Sequence, residues 1–115
     1  MADIIREEVI RLHAQICSGM ADPNRIMIIY SLADSPRNVT EIAAVVKLPQ
    51  PTVSRHLKIL RECGIVRSVR EGQTIIYRLS DKRVVQALDL LRATLGDMFT
   101  DQAELARQLK ENSSI

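Results

Sequence analysis

The chain has 115 residues, 46% of them apolar and 26% charged, with a net charge of +2, which allows one domain-sized unit with a single core. Aromatic residues are limited to Tyr30, Tyr77 and Phe99, so the core is expected to be aliphatic helix-on-helix packing, and few rings remain on which single-stranded bases could stack. No run of about 18 uncharged apolar residues exists to cross a membrane, and the acidic start "MADIIREEVIRL" lacks the small-residue cleavage site of a secretory signal. Two cysteines, Cys17 and Cys63, are too few for a disulfide framework; the expected location is the cytoplasm, where thiols stay reduced unless something oxidises or binds them.

A first helix is predicted over residues 2–19. Ile5, Val9, Leu12 and Ile16 recur at steps of four, three and four, giving one apolar stripe. In "ADPNRIMIIYSLADSP", Asp22 is placed to cap a second helix and Pro23 fits its first turn, where the missing N–H costs nothing. Ile26, Ile29 and Tyr30 are expected to face inward, and "DSP" ends the helix. In "NVTEIAAVV", Asn38 followed three residues later by Glu41 resembles a capping box and opens a short third helix. "KLP" is then a turn, and a fourth, basic helix runs from about Gln50 to Glu62, completing a helix-turn-helix pattern over about 39–62.

"GIVRSVREGQTIIYRLS" follows. Ile65–Arg70 and Thr74–Leu79 are rich in β-branched residues and flank a Glu-Gly turn, which predicts a two-stranded hairpin with a polar tip, a wing over about 65–80. Such a hairpin is marginal alone and must pack on the helices. A last helix is predicted over about 81–111, with "ENSSI" frayed. Val84, Leu88, Leu91, Leu95, Met98, Gln102, Leu105 and Leu109 keep alternating steps of four and three, a heptad-type seam longer than one small domain can bury. A second copy of the chain is the expected partner, with Ile5, Val9, Leu12, Leu88, Leu91, Leu95 and Met98 at a symmetric dimer interface.

On a helical wheel of residues 50–63, Val53, Leu57 and Leu60 fall on the core side. Thr52 and Arg55 lie roughly opposite with Lys58 on a flank, Gln50 and Ser54 sit in the first turns, and Ile59 points outward. The charge distribution agrees. Residues 47–83 hold nine basic and three acidic side chains, a net +6, while the remainder holds seven basic and eleven acidic, a net −4. One basic segment inside an otherwise acidic chain suits a polyanion-binding face. Gln50, Thr52, Ser54 and Arg55 are therefore candidate base-edge or phosphate contacts. Lys58, Arg67 and Arg70 are candidate phosphate contacts, and Gln73 at the hairpin tip is a further candidate DNA contact.

Taken together, "ADPNR", "PTVSRHLKILRECGIV" and "REGQTIIYRL" resemble the winged helix-turn-helix repressors of the ArsR/SmtB type over roughly residues 20–81. The resemblance implies a single winged-helix domain over 1–115, mainly α with a small β-hairpin in the order α1-α2-α3-α4-β1-β2-α5. It also implies a homodimer through the first and last helices, binding of an inverted-repeat operator in double-stranded DNA, and release of that DNA by an effector. The chain departs from the family at Pro49, where a capping Ser is common. It lacks a Cys-x-Cys box in "TEIAAVV", and its last helix has no His. Cys63 in "LRECGIV" resembles one ligand of the cadmium- and lead-sensing branch, but the paired position holds Ile59.

Candidate sensor residues are Cys17, Cys63 and His13, which precedes Cys17 by four residues. They leave three readings open: both thiols are small packing residues, they sense redox or reactive sulfur, or they bind a thiophilic metal or arsenite. No cofactor is otherwise called for. An enzyme is not expected, because neither a Cys-x-x-Cys motif, nor a glycine-rich phosphate loop, nor a nucleophile–base pair is present. A winged helix used to dock an acidic protein is the alternative to DNA binding.

Overall fold

A computed structural model describes residues 2–113. It contains α1 (Ala2–Leu12) continued by a π-helical turn (His13–Cys17), α2 (Pro23–Ser31), α3 (Val39–Val46), α4 (Gln50–Glu62), β1 (Val66–Glu71), β2 (Thr74–Leu79) and α5 (Arg83–Ser113). This is the winged helix-turn-helix order expected above. Two compact units make up the chain, Met1–Lys82 and Arg83–Ile115.

Local chemistry accounts for most boundaries in the first unit. The Asp22 carboxylate accepts from the Asn24 N–H at 2.8 Å ahead of Pro23, satisfying an amide that the first helical turn leaves without a partner. The capping box at α3 is complete: Glu41 N–H donates to Asn38 Oδ1 at 2.9 Å and Asn38 N–H to Glu41 Oε1 at 3.0 Å. Between α3 and α4 the chain reverses at Lys47, whose φ of 59° places a non-glycine residue in the left-handed region. The Lys47 and Leu48 N–H groups both donate to Ala43 O, at 2.9 and 3.3 Å. Pro49 precedes α4 and supplies no side-chain cap.

The first helix covers the expected 2–19 span with one irregularity. It extends as far as Gly19, but Ser18 N–H reaches back five residues to His13 O, making one π turn. The inward face of α2 needs correction. Ile28 and Ile29 are fully buried, whereas Ile26 and Tyr30 are only half-buried. The core of this unit joins Ile28, Ile29 and Leu32 of α2 and its end, Ile42 of α3, Val53, Leu57 and Leu60 of α4, and Ile65 and Val66 where the hairpin begins.

The hairpin pairs from Val66↔Leu79 to Glu71↔Thr74 around a turn with Gly72 at a φ of +63°. A one-residue bridge lends it a third rung. Arg37 N–H donates to Tyr77 O at 3.0 Å, and Tyr77 N–H donates to Arg37 O at 2.8 Å. The Arg37 side chain ties the same point to the end of α2 by donating from Nε to Ser31 O at 2.7 Å. The support that a lone hairpin lacks is thus supplied by the α2–α3 connection.

The second unit is α5 alone. Leu91, Leu95, Met98, Leu105 and Leu109 are each more than half exposed, while Leu88 is buried. Arg107 pairs with Glu104 and Glu111 on the opposite side of the helix and holds the Glu104 carboxyl below its ordinary range. The helix continues through Ser113, two residues beyond the expected end. The rest of the expected frayed segment, Ser114 and Ile115, lies outside the described residues.

Two positions give stability predictions. A Cβ on Gly19 would lie 2.7 Å from Ile65 Cδ1 and 3.2 Å from Cys63 Sγ. Ile65 is buried and has little room to yield. Gly19→Ala is therefore expected to destabilise by about 1–2 kcal/mol net, overpacking outweighing the gain in helix propensity. Ile65→Val, which deletes Cδ1, should recover part of that loss in a urea-denaturation double-mutant cycle. Lys47→Gly relieves the left-handed strain and is expected to raise stability by about 0.5–1 kcal/mol despite a more flexible unfolded chain; an unchanged or lower urea midpoint would contradict it.

Candidate nucleic-acid interface

The orientation of α4 follows from its buried stripe. Val53, Leu57 and Leu60 are at most 1% exposed, so the residues about half a turn away must face outward. Arg55 and Lys58 are exposed there, and Gln50 and Ser54 are exposed in the first turns. Thr52 is half-buried, and its Oγ1 lies 3.4 Å from the Arg55 guanidinium that donates to it. Gln50 Nε2 donates to Thr40 Oγ1 at 3.3 Å, bridging the two helices of the helix-turn-helix. Ile59, on the outward side, is 38% exposed.

At the wing, Arg67, Arg70 and Gln73 are all exposed. Among the described residues, Arg55, Lys58, Arg67 and Arg70 have no carboxylate partner, leaving their charges available to an anion. A cleft of about 390 Å³ brings Ser54 of α4 together with Gln73 and Thr74 at the hairpin tip and with Asn38 and Thr40 at the start of α3. Two of the sequence candidates, Ser54 and Gln73, thus meet in one concavity. Arg67 does not join them; it lines a separate depression with Arg61.

The two thiols have different surroundings. Cys63 closes α4, donating its N–H to Ile59 O at 3.0 Å, and is half-buried. Its side chain lies against Gly19 at the end of the first helix. Cys17 is exposed, as is His13. Cys17 precedes Gly19 by two residues, about 200° around a helix, so the side of the helix end that meets Cys63 is not the side that carries Cys17. Among the described residues, no three His, Cys, Asp or Glu side chains gather as a metal site.

Arg25 is a contact that sequence reasoning missed. Its Nε donates to Gly19 O at 2.7 Å and its NH2 to Ser18 O at 3.3 Å, while NH1 lies 3.5 Å from His56 Nδ1 on α4. This one side chain joins the end of the first helix to α4. Its only sequence signal is a basic residue just after "ADPN", which is not specific.

No described helix is long and apolar enough to cross a membrane. Residues 22–68 match the family model described as "Bacterial regulatory protein, arsR family". The chain is 38% identical over 84 residues to the HTH-type transcriptional regulator KmtR of Mycobacterium tuberculosis, covering 73% of this chain and 65% of that one; it therefore spans less than two thirds of KmtR. It is 38% identical over 80 residues to the biofilm growth-associated repressor of Agrobacterium fabrum, covering 70% of this chain and 68% of that one. The crystal structure of the transcriptional repressor BigR from Xylella fastidiosa superposes with a TM-score of 0.69 at 29% identity, covering 82% of this chain and 96% of that one. With the winged helix-turn-helix, its outward basic helix and these relatives, the chain belongs to the ArsR family of DNA-binding transcription regulators, a non-enzymatic family.

Proposed function

We propose that the chain is a cytoplasmic, homodimeric repressor that binds an inverted-repeat operator through α4 and the wing and releases it in response to a thiol-directed effector. The carrying observation is that Arg55 and Lys58, with no carboxylate partner among the described residues, face away from the stripe that fixes α4 in the core. Gln50, Thr52, Ser54 and Arg55 form the base-reading or phosphate-contacting group; Lys58, Arg67, Arg70 and Gln73 hold the backbone. Two features support a dimer. α1 buries none of its side chains, and the seam of α5 from Leu91 onward is open in a single chain. Pairing two copies through Ile5, Val9 and Leu12 and through Leu91, Leu95 and Met98 would cover both faces and set two reading helices about one turn of DNA apart. Leu88, already buried in the single chain, contributes least to that pairing.

For sensing, Cys63 is the favoured thiol because it ends the reading helix and touches Gly19. A peroxide that transfers one oxygen to the Cys63 thiolate, leaving as its alkoxide or hydroxide, makes a sulfenic acid larger than the thiol it replaces. Little space remains on the Gly19 side, so the added atom would push α4 and the first helix apart. Cys17, exposed two residues before Gly19, is the second candidate, and His13 the third.

Two predictions follow from this reading. On a duplex from the region upstream of its own coding sequence, Arg55→Ala and Lys58→Ala should each weaken binding by about tenfold and lower the salt slope by about one; unchanged affinity in both variants would remove the proposed DNA face. Peroxide, persulfide or a thiophilic metal should release the parent protein from that duplex. Cys63→Ser should abolish the response, and a Cys17→Ser/Cys63→Ser double variant that still responds would rule out thiol sensing.

A further inference from the structure

The cleft between α3, α4 and the wing carries an inference beyond the basic residues assigned to DNA. Four hydroxyl-bearing residues line it, Thr40 of α3, Ser54 of α4, and Thr74 and Tyr77 of β2, beside the amides of Asn38 and Gln73 and the apolar Val39 and Ile75. None of its lining residues is charged. Glu41, the carboxylate nearest in sequence to Thr40, is turned back onto the Asn38 N–H. Glu71 pairs with Thr74 across the ladder but does not line the cleft.

The hydroxyls have protons to give. Thr40 Oγ1 already accepts from Gln50 Nε2, which leaves its own O–H as a donor. Among the described residues the Ser54 and Thr74 hydroxyls have no hydrogen-bond partner. A concavity whose polar lining consists of neutral donors, with no charged residue among its walls, opening between a basic helix and the hairpin tip, matches a sugar–phosphate backbone. Phosphate oxygens accept readily from Ser, Thr, Asn and Gln as well as from cations. We propose that this cleft seats one phosphodiester of the DNA backbone, with Thr40 and Thr74 as its principal donors. Seated there, the phosphate fixes how deeply α4 enters the groove relative to the wing. The proposal rests on the DNA-binding reading above and adds a contact of a different kind, one that involves no counterion release.

That difference makes it testable. Thr40→Val and Thr74→Val remove a hydroxyl while keeping a β-branched shape, and unchanged thermal melting would show that the fold is intact. Each variant should weaken binding about tenfold, on the upstream duplex and on a mixed-sequence duplex alike, with the slope of log affinity against log salt unchanged. Thr74→Ser, which keeps the hydroxyl, should bind as the parent does. Thr74→Val is the cleaner arm, because Thr40 also holds Gln50. If both valine variants bind as the parent while Arg55→Ala loses affinity and slope, the phosphate seat is wrong and the DNA face stands. A Thr74→Val loss confined to the upstream duplex would overturn the seat by showing that the cleft reads bases. If Arg55→Ala is also without effect, the DNA-binding reading fails as well.

Discussion

The burial of Val53, Leu57 and Leu60 along one side of α4 is the constraint on which the rest of this molecule depends. Fully burying an aliphatic side chain contributes about 1.5–3 kcal/mol, and these three face Ile28 and Ile29 of α2 and Ile42 of α3 across a common core. No rotation of α4 keeps all three inside while turning Arg55 and Lys58 toward the protein. The direction of the charged face is therefore dictated by apolar packing, not by the charges. The same helix receives Arg25 through His56 at its middle and Gly19 through Cys63 at its end, so the apolar core and the polar contacts act on one rigid body.

Much of this was legible because its causes are local. Asp22 with Pro23, and Asn38 with Glu41, announce helix starts within three residues, and both caps form as read. The stripe of α4 has a clean period, and every residue between its members except Ile59 is polar. The inward face of α2 was harder to read because Ile26, Met27, Ile28, Ile29 and Tyr30 are consecutive and apolar all round. Periodicity then selects no face, and the choice falls to the tertiary environment, which took Ile28 and Ile29. The Arg37–Tyr77 bridge, the Arg25–His56 contact and the neutral cleft join residues 14 to 40 positions apart. None has a spacing signature, so each emerges only once the chain is folded.

The electrostatics divide the candidate interface into two chemistries. The basic segment centred on α4 and β1 would attract DNA from a distance and release counterions on contact, an attraction that weakens as ionic strength rises. The Thr- and Ser-lined cleft acts only at hydrogen-bond range and is indifferent to counterions. A regulator carrying both can lose long-range capture while keeping close-range register. The strength of its hold on DNA and the accuracy of its seating then depend on different residues.

The π turn at His13–Cys17 changes what one continuous helix can do. Accommodating one extra residue in a turn rotates everything beyond it by about a quarter of a revolution. The stripe of Ile5, Val9 and Leu12 and the glycine that nests against Cys63 and Ile65 therefore need not share a side. The helix works as a phase shifter: its far end packs against Cys63 and Ile65, while its near end directs an apolar edge along a different bearing. A regular α-helix of the same sequence would bring those two directions onto nearly the same side.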